Sequence, residues 1–114
     1  VGIRLQDGRN SSEGRVEVDY KGVWGTVCFD DWDDTSATVA CKMLGYRYGR
    51  ATETNIFLPS KKPIWLNRVK CRGMESTLFD CPHAPWKWNH CSHRNEAGAI
   101  CHNGIISILH SNLI

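Results

Sequence analysis

Polar and apolar residues alternate over Arg15-Val16-Glu17-Val18-Asp19-Tyr20, and after Lys21-Gly22 an apolar and β-branched run resumes in Val23-Trp24-Gly25-Thr26-Val27. Two period-two runs joined by two turn-forming residues predict an antiparallel hairpin. Alternation buries one face, so Val16, Val18 and Tyr20 are expected inside and Arg15, Glu17 and Asp19 outside. The period then changes. Asp33-Asp34-Thr35-Ser36 precedes Val39, Ala40, Met43 and Leu44 at helical spacing, and Gly45 follows. Caps at both ends predict a helix of about two to three turns laid over the sheet.

The flanks are read the same way. Ile3-Arg4-Leu5 before Asp7-Gly8 predicts a short strand and turn. Residues 46–62 show little periodicity and predict a long loop, whereas Ile64 to Cys71 predicts a strand. Ser76-Thr77-Leu78-Phe79-Asp80-Cys81 predicts a helical turn capped by Ser76, and Gly98-Ala99-Ile100-Cys101 a last strand. Pro82, Pro85 and the cluster Trp86-Lys87-Trp88 exclude long regular structure between them.

A chain of 114 residues fits one domain, and 41% apolar against 23% charged residues predicts a modest core. Cysteine changes that picture. Six cysteines at 28, 41, 71, 81, 91 and 101 contain no Cys-x-x-Cys pair, so three disulfides are the economical reading, with 15 connectivities open. Such bridges persist in an oxidising compartment, which places the chain outside the cell. Asn10-Ser11-Ser12 is an acceptor triplet for N-glycosylation. No run of 18 apolar residues predicts a membrane span, and Val1 follows no leader, so the chain is expected to come from a larger, processed protein.

Taken together, Gly14-Arg-Val-Glu-Val18, Val23-Trp-Gly-Thr-Val-Cys28, Asp30-Asp-Trp-Asp33, Val39-Ala-Cys-Lys-Met-Leu-Gly-Tyr46, Pro63-Ile-Trp-Leu-Asn-Arg-Val-Lys-Cys-Arg-Gly-Met-Glu-Ser-Thr-Leu-Phe-Asp-Cys-Pro82 and Cys91-Ser-His-Arg-Asn-Glu-Ala-Gly-Ala-Ile-Cys101 resemble a scavenger receptor cysteine-rich domain. The likeness runs from about Ile3 to Cys101, which makes residues 1–101 the domain and 102–114 an extension or linker. Asn10 and Tyr46 stand where the eight-cysteine subtype has cysteines, so the chain resembles the six-cysteine subtype (group A). The resemblance implies the pairs Cys28–Cys91, Cys41–Cys101 and Cys71–Cys81. It also implies an α+β fold, a small disulfide-rich domain in which a curved antiparallel β-sheet cradles one α-helix.

Charge suggests where a ligand would sit. Residues 47–72 hold seven of the fourteen Lys and Arg side chains and one of the twelve acids. The seven are Arg47, Arg50, Lys61, Lys62, Arg68, Lys70 and Arg72, and a clustered basic surface concentrates anionic ligands. On the strand expected there, Arg68, Lys70 and Arg72 would share one face. The second candidate is acidic. The family can hold calcium with aspartates after the first cysteine and a downstream carboxylate. Here Phe29 replaces the first aspartate and Asn95 the downstream glutamate, leaving Asp30, Asp31, Asn95 and Glu96 as a depleted oxygen set that would bind calcium weakly. No cofactor is required by this reading. A zinc site among His83, His90, His93 and His102 would orphan the disulfide partner of Cys91. Trp24, Trp32 and Trp65 are expected in the core, with Trp86 and Trp88 open to contact.

Catalytic signatures are missing from the sequence: it holds no Gly-x-Ser-x-Gly, no His-Glu-x-x-His and no phosphate loop, and the bridges leave no thiol nucleophile. The expected function is a non-catalytic extracellular ligand-binding domain of scavenger type that recognises polyanionic or acidic protein ligands. Neither specific nucleic-acid recognition nor membrane insertion is expected. The alternative is an accessory module of a larger secreted enzyme, serine protease or lysyl-oxidase-like, and the apolar residues after Cys101 could pack on such a neighbour.

Overall fold

The computed structural model describes residues 2–54, 56–85 and 90–104. Its strands are β1 (Ile3–Asp7), β2 (Glu13–Tyr20), β3 (Val23–Val27), β4 (Tyr48–Ala51), β5 (Ile64–Leu66) and β6 (Gly98–His102), with the helix α1 (Asp34–Met43) between β3 and β4. The hairpin forms as the alternation predicts. Lys21 at φ 53° and Gly22 at φ 83° make its two-residue turn, the left-handed pair that matches strand twist. β2 is the spine, pairing with β6 through residues 13–15, with β1 through 14–18 and with β3 through 17–20.

Three expectations about the strands change. β5 runs parallel to β3, so the curled sheet is mixed rather than purely antiparallel. β4 forms inside the segment read as loop, because its ladder partner β6 lies some fifty residues away and leaves no local period. The strand read from Ile64 to Cys71 stops at Leu66.

α1 begins at Asp33, whose carboxylate accepts the Ser36 N–H at 2.9 Å. It lies along β4 and blocks that sheet edge. Thr38 Oγ1 accepts the Gly49 N–H at 3.2 Å, and Asp34 Oδ1 accepts the Ala51 N–H at 2.8 Å. An edge whose donors are filled by a helix cannot recruit a further strand there. Gly49 permits the approach, since a Cβ would stand 2.5 Å from Cys41 Sγ. The core lies between α1 and the inner sheet face, with Val16, Val18, Val27, Val39, Ala40, Leu66, Val69 and Leu78 fully buried.

The bridges are Cys28–Cys91, Cys41–Cys101 and Cys71–Cys81. The last encloses the short 3-10 turn Leu78–Asp80, which is capped by Thr77, not Ser76: the Thr77 hydroxyl accepts the Phe79 N–H at 3.1 Å.

Asp33 is also an ion-pair partner, taking Lys70 Nζ at 2.6 Å on Oδ2. Burial works against its charge, but the bonds from Lys70 and Ser36 outweigh burial and hold its pKa below the ordinary 3.8. A lowered folded-state pKa stabilises above the unfolded value and loses that contribution as pH falls through the folded one. Replacing Asp33 with alanine should cost about 1 kcal/mol near neutrality. In urea titrations the gap between the two proteins should close as pH falls through the lowered folded-state pKa, where the carboxyl becomes protonated.

Candidate functional site

Directly paired strand residues share a sheet face, so the ladder places Arg4, Glu17 and Thr26 in one row, with Gln6, Arg15 and Gly98 in the next. This is the face away from the helix. The alternation reads it as solvent-exposed, yet Arg15 and Glu17 are buried and Glu17 is 0% exposed. Glu17 Oε1 accepts Arg4 Nε at 2.9 Å and Nη2 at 2.8 Å, while Oε2 accepts Arg15 Nε at 3.3 Å and Nη2 at 3.2 Å. Arg15 reaches Asp7 as well, at 2.6 Å. Paired charges with filled hydrogen-bond capacity tolerate burial where a lone charge would not. Trp24 belongs to this outer layer, half-buried under the Arg4 guanidinium at 4.1 Å, instead of the core expected for it. Trp32 and Trp65 are core.

The cover over the layer is the segment after β4. Thr52 N–H donates to Gly98 O at 3.1 Å, and Arg15 Nη1 donates to Leu58 O at 2.7 Å. Ser60 is fixed twice, its N–H and Oγ reaching Glu96 at 2.9 and 2.6 Å, and His93 Nδ1 meets the same carboxylate at 3.0 Å. Burial disfavours charge on Glu96, but the bonds from His93 and Ser60 outweigh it and hold its pKa below the usual carboxylate value.

The acidic corner lies in the turn between β3 and α1. Asp30 Oδ1 accepts the Asn95 amide at 2.7 Å, and Asp31, at φ 65°, accepts Arg68 Nε at 3.0 Å. Thus Asp30 and Asn95 come together, Asp31 joins a cation of the chain itself, and Glu96 turns inward to Ser60. The set is not arranged as a calcium cage, because an incoming ion would have to displace the amide and the guanidinium. Asp30, Asp31, Arg68 and His90 line one open groove.

Of the seven basic residues, Arg68 and Lys70 stand over Asp31 and Asp33. The outward alternation of Arg68, Lys70 and Arg72 persists without a strand, with Val69 and Cys71 buried between them. Arg47 precedes β4, Arg50 lies within it, and Lys61 and Lys62 follow Ser60. Among the described residues, Arg47, Arg50, Lys61, Lys62 and Arg72 make no ion pair. The histidines are not gathered: His93 is on Glu96, His102 stacks on Tyr48 and His83 meets Ala84 O. Cys71, Glu75 and Cys81 lie close enough for a metal, but the two sulfurs are bonded to each other. Asn10 is exposed, its Oδ1 accepting Ser12 Oγ at 2.6 Å. Trp86, Trp88 and residues 105–114 lie outside the described residues.

A family model for the scavenger receptor cysteine-rich domain matches residues 6–102, a span that holds all six cysteines. The chain belongs to that family. It is 44% identical over 102 residues to rat Galectin-3-binding protein, a match covering 89% of this chain and 18% of that protein. The chain therefore spans under a fifth of that relative. Among solved structures it is similar to the third such domain of murine Neurotrypsin, with 46% identity, TM-score 0.80 and 88% and 94% of the two chains covered. The domain of mouse MARCO, solved in a dimeric form, matches at 44% identity and TM-score 0.74 over 87% and 93%.

Scavenger receptor cysteine-rich domains are extracellular, non-catalytic protein-interaction modules, which places this chain's three bridges in the oxidising setting expected of them. Among the described residues no helix is long and apolar enough to cross a membrane. Sequence reading missed the buried Arg4–Glu17–Arg15 layer and the Ser60–Glu96 clasp. The alternation around Val16 and Val18 located the charged residues, but no sequence signal announced the segment that covers them.

Proposed function

We propose that this domain recognises polyanionic or acidic protein ligands through its basic surface and requires no cofactor to do so. What carries the reading is the contrast between acids and bases: Asp31 and Asp33 are taken by Arg68 and Lys70, while Arg47, Arg50, Lys61, Lys62 and Arg72 remain for an external anion. Calcium is at most a weak adjunct at Asp30 and Asp31, since Asn95 and Arg68 already meet those carboxylates. A second reading, a contact module within a longer secreted protein, is supported by the likeness to the third domain of a series in murine Neurotrypsin.

The test is binding of the oxidised domain to heparin across a salt series, with calcium or with a chelator. Affinity should fall steeply with salt and change little on chelation. Reversing Arg47 and Arg50 to glutamate should weaken binding about tenfold or more. Salt-independent binding, or no binding at all, would count against the reading.

A further inference from the structure

We propose that Ile56–Lys62 is a docking edge for an acidic, leucine-bearing segment of a partner protein. The inference rests on the recognition reading above but centres it on an apolar anchor, Leu58, beside Lys61 and Lys62 of the basic set, and assigns a chemical class of partner. Leu58 is 79% exposed and Ile56 53% exposed. Neither sits on a loose loop. The chain is tied down on either side of Ile56 by Thr52–Gly98 before it and Arg15–Leu58 and Ser60–Glu96 after it. Phe57 packs so tightly over Gly98 that a Cβ there would stand 2.6 Å from its ring. A pre-ordered apolar side chain loses little freedom on binding, which is what a contact anchor requires.

The charge around that anchor selects the occupant. Leu58 and Phe57 line a small cleft with His93 and Arg94, and Lys61 and Lys62 follow on the same segment. Arg15, Glu96 and His93, which also line the cleft, are engaged inside the protein, His93 on the Glu96 carboxylate. Glu53 is the sole acid in residues 53–62. An apolar knob with Arg94 in its cleft and Lys61 and Lys62 a few residues along the same segment complements an acidic stretch that carries a large aliphatic side chain. A sulfated polysaccharide satisfies the cations but offers nothing to cover Leu58, so the chemistry favours protein.

The experiment titrates the 15N-labelled, oxidised domain with a random Glu–Leu copolymer, with polyglutamate of equal length, with heparin and with phosphatidylserine vesicles. Amide shifts from the Glu–Leu copolymer should centre on Ile56, Leu58, Lys61 and Arg94. Its affinity should exceed that of polyglutamate about tenfold, and Leu58→Ser should abolish that advantage while heparin binding stays unchanged. Leu58 is exposed, so the variant should fold, and its spectrum reports whether it does. Wild-type affinity of Leu58→Ser for the copolymer, or shifts centred elsewhere, would overturn the proposal. Heparin binding without copolymer binding would sink the docking edge and leave the recognition reading standing, whereas failure of both would remove both. Vesicle binding that is lost in Leu58→Ser, with no copolymer binding, would replace the protein partner by a lipid surface.

Discussion

Replacing Glu17 with alanine should destabilise the domain by about 3–5 kcal/mol, the usual cost of removing one partner from a buried ion network. The size follows from what remains behind. Glu17 is fully buried on β2 and receives two bonds from Arg4 and two from Arg15. Without it, Arg15, whose side chain is 6% exposed, keeps Asp7 and the Leu58 carbonyl but loses its innermost counter-charge. Arg4 is better placed to recover, because its side chain is 34% exposed and also lies over Trp24. Arg4→Ala should therefore cost clearly less than Glu17→Ala. Urea denaturation of the three proteins measures both quantities, and a loss below about 1 kcal/mol for Glu17→Ala would show that water reaches this layer. The heparin series and the copolymer titration should respond differently to the same change. With its innermost counter-charge gone Arg15 holds the Leu58 carbonyl less rigidly, so docking at Leu58 should weaken more than binding at Arg47 and Arg50.

Removing the Cys41–Cys101 bridge, as Cys41→Ala with Cys101→Ala, should cost about 4 kcal/mol. The pair closes a sequence separation of 60 residues, and in the loop-entropy model a cross-link of that span restricts the unfolded chain by about that much. It also pins α1 to β6 in the middle of the core, where both sulfurs are buried. Alanine is the right replacement, because serine would bury a hydroxyl beside Gly49 with no assigned partner. The bridge Cys71–Cys81 spans only 10 residues, so its double alanine variant should lose about 3 kcal/mol. Thermal unfolding of the two variants gives the ranking. If the short-span variant were the less stable, the stabilisation would come from local packing around Leu78 and not from chain entropy.

How much was legible in the chain depends on how local each interaction is. The β2–β3 hairpin was, because Lys21-Gly22 can supply two left-handed residues and the valines alternate on either side. So was α1, whose Asp33 cap and Gly45 stop lie within a turn of the helix they bound. β4 was not, because four residues with no apolar period become a strand only when β6 is alongside. The parallel β3–β5 contact was hidden for the same reason. In the candidate site, the sequence located the seven basic residues and the four candidate oxygen donors, but proximity in sequence misled about Glu96. It follows Asn95 directly, yet its carboxylate serves Ser60 and His93 while Asn95 serves Asp30.

The sequence by itself determined the family, the hairpin, the capped helix and the uneven distribution of charge, since each is written in residue type and spacing over short stretches. Only the tertiary structure decided which charges are available to a ligand. Whether an arginine is exposed or spent depends on what a distant segment lays over it. Arg15 is spent because Thr52 and residues 56–60 lie over β2, Arg68 is partnered because the turn after Cys28 brings Asp31 to it, and Leu58 is exposed because its own backbone is the cover. Burial is a property of all the segments packed together, and a one-dimensional pattern records only the half of it that repeats along a single strand or helix.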